Sequence, residues 1–158
     1  NLHTLTNFTP DYVLMQDCDM ASALSLDGLA HSISYKYDAI FANGIVNEFL
    51  LDFHIPYIGY FYYDSFAYLE DPNNDDNPIM NKMALKRGEP LLPVISAFGG
   101  AGLYKYSAIR NFYYDENKLH ECEHVTLHKK MYKSGLKLAI NPSLLLLSGR
   151  QGEFFKKG

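Results

Sequence analysis

Asp17-Cys18-Asp19 follows a short apolar run, Tyr12-Val13-Leu14-Met15, that is bounded by Pro10 on its other side. Two carboxylates two residues apart can reach one hard divalent cation, directly or through water, if the chain turns at that point. Such a cation can bridge a diphosphate and stabilise the charge that develops as it leaves. An Asp-x-Asp pair is common by chance, and its place at the end of an apolar strand is what sharpens it, because open α/β sheets bind ligands at strand ends. Asp64 comes after the aromatic stretch 57–63. Its carboxylate could accept hydrogen bonds from sugar hydroxyls, or it could cap the turn that follows a strand. The run Phe98-Gly99-Gly100-Ala101-Gly102 lets the backbone approach a ligand or turn sharply. Glu123 opens a helical pattern, where a negative charge suits the helix dipole without any catalytic role.

Other chemistry-bearing residues point less clearly. Residues 71–78 form an acidic, turn-rich loop without the ligand spacing of a calcium-binding loop. His54, before Ile55-Pro56, reads as structural. Cys18 and Cys122 are too few for a disulfide framework or a cysteine-based zinc site. Both lie beside acidic residues, which disfavour a reactive thiolate. A reducing compartment fits these cysteines but is not required by them; the compartment is left open, with a soluble, cytoplasmic protein favoured.

These residues must be positioned by an ordinary globular core. The chain of 158 residues is 47% hydrophobic and 20% charged, enough for one domain. Its net charge is −4 and its basic pairs, Lys129-Lys130 and Lys156-Lys157, are short, so phosphate-driven binding of nucleic acid is not expected. No apolar run approaches the roughly 20 residues of a membrane span. Thirteen Tyr and ten Phe, with no Trp, suit either a tyrosine-rich core and rim or a sugar-binding cleft.

Hydrophobic patterning predicts strands over 12–15, 37–41, 57–63, 91–97 and 136–140. It predicts helices within 24–31 and over 45–53, 107–112 and 125–134. The helical reading of 45–53 rests on apolar residues at 45, 46, 49, 50 and 53. Turns are expected at Ala42-Asn43-Gly44 and Asn141-Pro142, and Gly135 is the expected stop of the 125–134 helix. Strands alternating with helices indicate an α/β fold.

One ordered series extends beyond these local patterns. Residues 96–104, with Gly99-Gly100 and an apolar-aromatic tail, precede Phe112-Tyr113-Tyr114-Asp115-Glu116. Then come Cys122-Glu123-His124-Val125-Thr126-Leu127-His128, Gly135 and residues 137–142. This series resembles the distal half of GT-A glycosyltransferases, and with Asp17 and Asp19 about eighty residues earlier the resemblance spans most of 11–142. It looks closest to the glycosyltransferases of large algal viruses and their protist and fungal relatives, on the strings at 37–44, 62–67 and 122–124.

The resemblance implies a GT-A-like mixed central sheet flanked by helices. It implies a hexosyl or deoxyhexosyl transfer from a UDP- or GDP-type nucleotide-sugar donor to a hydroxyl of a glycan acceptor, with manganese or magnesium as cofactor. Carried over by position, Asp17 and Asp19 hold the metal-diphosphate, with Asp19 the direct ligand. Gly99 and Gly100 line the donor sugar or the acceptor cleft, and Glu123 is the carboxylate near the acceptor hydroxyl. A general base there must lie within about 3 Å of the proton it removes. Where the family usually has Glu-Asp, this chain has Glu123-His124. The base is therefore Glu123 or the imidazole of His124, unless His124 or His128 completes the metal shell or is simply a hydrogen-bonded structural residue.

Sixteen residues precede Asp17, fewer than the βαβ unit that grips the nucleotide in that family. Residues 1–158 are therefore expected to be the metal-binding and acceptor-side portion of a single transferase domain lacking part of the nucleotide-binding unit, either because the chain is a fragment or because the uridine-type pocket is absent and the chain is not active on its own. Two rival readings are a carbohydrate-binding or inactive transferase-like module and a metal-dependent phosphohydrolase using Asp17 and Asp19. The last lacks the His-x-Asp or His-Asp pair such enzymes need near the strand end.

Overall fold

The computed structural model describes residues 9–52, 55–64, 66–71, 84–114 and 122–148. In chain order these form β1 (Tyr12–Gln16), α1 (Leu26–Ile33), β2 (Ala39–Asp52), β3 (Ile55–Tyr62), β4 (Leu92–Val94), β5 (Ala101–Lys105), α2 (Tyr106–Ile109), α3 (Glu123–Lys133) and β6 (Leu138–Leu147). Strands β1-β5-β2-β6-β4 lie in that order in one sheet, with β3 paired to β2. The β2–β6 pair is parallel and the others are antiparallel. The fold is thus mixed α/β, with an open mixed sheet flanked by helices.

Alternation along β2 assigns the two faces of the sheet. Ala39 and Phe41 join Tyr104, Leu138 and Ile140 in a cluster that also buries Leu127 and Met131 of α3. Ile40 and Ala42 join Ala101, Leu144 and Leu146, packed against Leu29 of α1. Helices therefore cover opposite faces of the sheet, and a fully buried Phe, Leu or Ile contributes about 1.5–3 kcal/mol. No helix among the described residues is long and apolar enough to cross a membrane.

Several local expectations are overturned. Residues 45–52 are strand, not helix: Ile45 to Asp52 pair residue for residue with Tyr62 to Ile55, so the β-prone partner satisfies their backbone groups. Phe53 and His54 lie outside the described residues. Ala42-Asn43-Gly44 does not end the strand either. The Asn43 side-chain amide donates to the carbonyls of Leu85 (3.0 Å) and Pro142 (3.2 Å), and the ladder resumes after a shift in register.

Asn141-Pro142 likewise sits inside β6. The parallel pairing steps from Ala42↔Asn141 to Asn43↔Leu145, and the intervening irregularity accommodates a proline that has no N–H for the ladder. Asn141 holds it, accepting from the Ser143 N–H (2.9 Å) and donating to Ser32 Oγ (2.8 Å). The 91–97 strand is shorter than expected, because Ile95 and Ser96 turn away to hydrogen-bond with Leu69. The glycine-rich run holds β5, a strand between β1 and β2 that local patterning did not predict.

Candidate functional site

The Phe98-Gly99-Gly100 turn is the hub of the site. Gly99 and Gly100 have φ of 62° and 82°, in the left-handed region that favours glycine. A Cβ on Gly99 would lie 2.2 Å from the Ala42 carbonyl oxygen, and one on Gly44 would lie 2.3 Å from the Gly99 oxygen. The close approach these glycines allow is therefore of one backbone to another, and both Gly99 and Gly100 are buried. The turn is tied to the end of β1, where the Asp17 N–H donates to the Gly100 carbonyl at 2.9 Å.

Asp64, just beyond β3, holds the same turn from the other side. Its carboxylate accepts from the Gly99 N–H and the Ala67 N–H, each at 3.2 Å. Burial raises its pKa above the ordinary carboxylate range, the two N–H groups and His124 oppose that rise, and the Asp17 charge adds to it. Asp64 thus caps the turn after its strand, one of the two roles its sequence position allowed.

α3 brings the remaining groups. The His124 ring stacks on Phe98 with centroids 3.8 Å apart and planes 14° apart. Its Nδ1 is 3.3 Å from the Tyr114 hydroxyl, and its Nε2 is 3.8 Å from Glu123 Oε1. Burial lowers the His124 pKa, against the opposing pull of Glu123, Asp64 and Asp17. The ring is thereby favoured neutral, the form able to accept a proton. Glu123 itself is exposed in the first turn of α3.

His128, one turn further along, lies beneath the site. Its ring is fully buried and parallel to that of His124, with centroids 5.9 Å apart. Nδ1 meets Ser96 Oγ and Nε2 meets the Tyr104 hydroxyl, both at 2.9 Å. With both nitrogens engaged inside the core, His128 has none left for a metal shell, and that alternative is set aside. Burial, and then His124, push its pKa well below the ordinary histidine value.

The backbone of Asp17, the carboxylate of Asp64 and the ring of His124 therefore meet the turn carrying Gly99 and Gly100 from three separate stretches of chain, and Glu123 stands exposed beside His124. Asp17 is in electrostatic reach of Asp64, Tyr114 and His124. Asp19 is exposed on the turn beyond. No protein-family model matches the chain, and no curated protein matches it.

Among the described residues no three His, Cys, Asp or Glu side chains form a cage for a metal ion. A divalent cation here would take Asp17 and Asp19 as hard oxygen donors and fill its shell with phosphate oxygens and water, the usual habit of magnesium beside a diphosphate. The donor chemistry fits that use and does not fit a closed structural site.

Patterning missed Tyr114 and Phe98 as site residues. Their signal was weak, since each is an aromatic beside a motif in a chain rich in aromatics. Asp115, Glu116 and residues 72–78 of the acidic loop lie outside the described residues.

Proposed function

We propose that this chain carries the metal-binding and acceptor-side residues of a GT-A-type glycosyltransferase. In this reading it moves a sugar from a nucleotide-sugar donor to a hydroxyl of a glycan. The observation that supports it is the convergence of Asp17, Asp64 and the Glu123–His124 pair on the Phe98-Gly99-Gly100 turn. Residues from a strand end, a strand-following turn and a helix start have no local reason to meet. Transfer of a sugar, in which a hydroxyl replaces a diphosphate at the sugar carbon, would use such a meeting: oxygen donors for a cation on the departing diphosphate and an acceptor for the hydroxyl proton.

Asp17 and Asp19 hold manganese or magnesium in this reading, and the bound cation supplies charge neutralisation for the departing diphosphate. Asp64 acts by position: its two accepted N–H bonds fix the turn carrying Gly99. His124, kept neutral by burial and flat against Phe98, or the more exposed Glu123 beside it, takes the proton of the acceptor hydroxyl.

The test is a panel of UDP- and GDP-sugars with manganese, scored for nucleoside diphosphate release with and without glycan acceptors. Release that Asp17→Asn reduces by roughly a hundredfold or more is expected, the scale on which losing a key electrostatic group acts. Saccharide or nucleotide binding without turnover would instead favour a catalytically inactive, carbohydrate-binding module, a reading that the exposed position of Asp19 keeps in play. Phosphate release from simple esters would overturn both.

A further inference from the structure

A shallow cleft of about 540 Å³ opens beside the site, between residues 111–114 and the last turns of α3. Tyr113 and Tyr114, 71% and 42% exposed, line it together with Asn111, Lys130, Lys133 and Ser134. Its volume falls in the range of small-ligand sites. Two neighbouring tyrosines left open to water offer flat apolar faces with hydroxyls at their edges. The amide, hydroxyl and ammonium groups around them can bond to a polyol. That combination of apolar face and dense hydrogen bonding is what a saccharide ring presents in complement. Among the described lining residues there is no carboxylate, in a chain whose net charge is −4.

The tyrosine wall is braced. The Tyr114 hydroxyl meets His124 Nδ1 at 3.3 Å and Met15 Sδ at 3.6 Å, while Lys130 Nζ donates to the Tyr113 carbonyl at 3.5 Å. Less ordering is then needed on binding, which favours affinity. Tyr114 is also the point of continuity, since it lines the cleft and touches the imidazole of the candidate site. A chain seated on these rings would extend toward His124.

We infer that this cleft binds an oligosaccharide, its rings lying on Tyr113 and Tyr114 and its hydroxyls or acidic substituents meeting Asn111, Ser134 and the lysines. That the bound chain is the acceptor rests on the transferase reading above; the saccharide site itself rests on the cleft.

The experiment is saturation-transfer NMR and titration of the protein with cellohexaose, mannohexaose, chitohexaose and oligogalacturonate, without nucleotide or metal. At least one is expected to bind. Tyr113→Ala, at an exposed position that folding tolerates, should weaken that binding roughly tenfold, whereas Tyr113→Phe, which keeps the ring, should leave it within about twofold. If none of the panel binds, or if Tyr113→Ala changes nothing, the inference is overturned. Binding without any donor turnover would keep the cleft and sink the transferase reading. Asp17-dependent donor turnover with no saccharide on the cleft would do the reverse.

Discussion

Burial leaves His128 neutral between two hydroxyls, Ser96 Oγ and Tyr104 OH, with one ring nitrogen facing each. An unfolded histidine titrates near pH 6.5, so this one gains its proton only when the chain opens. Its contribution to stability is therefore complete above about pH 6.5 and is lost as the pH falls from there toward the folded value. The slope is at most about 1.4 kcal/mol per pH unit for one proton. Asp64 has the opposite sign: its raised pKa favours the fold at low pH, and that contribution is lost as the pH rises from 3.8 through the folded value. Urea unfolding at several pH values should separate the two. His128→Leu is expected to lose about 2–3 kcal/mol at neutral pH, because two buried hydroxyls lose their partner. It should also flatten the fall in stability below pH 6.5. An unchanged acid slope would show that His128 is not the group that titrates. Position in sequence made His128 a possible metal ligand; only its neighbours in the fold show where its nitrogens go.

Among the elements, the turn between β4 and β5 carries the most constraint for its length. Gly99 combines a positive φ with a backbone oxygen where its Cβ would stand, whereas Gly135, at the end of α3, has a φ of 83° and open space around it. Gly99→Ala is expected to cost about 3 kcal/mol or more, since strain at a special φ adds to a steric clash with backbone. Gly135→Ala should cost only about 1–2 kcal/mol, the left-handed penalty alone. Thermal unfolding of both variants gives the comparison, and equal costs would deny Gly99 its packing role. The Gly135 stop was readable because helix termination is a local event of the chain. β5 was not readable, because Gly99-Gly100-Ala101-Gly102 suggests a loop; Gly99 and Gly100 do turn, but pairing with β1 on one side and β2 on the other makes a strand of Ala101–Lys105. The 45–52 stretch failed for the same kind of reason. Its apolar spacing satisfies a helix, and antiparallel pairing with β3 decides otherwise.

At the scale of the whole molecule, the site exists only while the sheet and both flanking layers hold their register. A ligand that bridges Asp17 and the neighbouring turn should therefore stabilise the fold by mass action. Manganese together with UDP or GDP is expected to raise the Tm more than either alone. At a hundred times Kd the gain is about 2.7 kcal/mol, or roughly 5–10 °C for a chain of this size. Asp17→Asn should abolish the joint effect, measured against the variant's own Tm without ligand. A joint shift that survived in Asp17→Asn would remove this carboxylate from the proposed metal site. The sequence by itself determined the elements whose signals are local: β1 with its trailing carboxylates, the α1 and α3 helices, the Gly135 stop and the aromatic β3. These follow from side-chain period and from caps, which act over a few residues. Tertiary structure decided what depends on distant partners: β2 as one long strand, β6 running through Asn141-Pro142, and the place of β5 in the sheet. It also set Asp64 against Gly99, His124 against Phe98 and Tyr114, and His128 beneath them. Backbone pairing and burial are satisfied across the sheet, by residues far apart in the chain, and no local spacing encodes them.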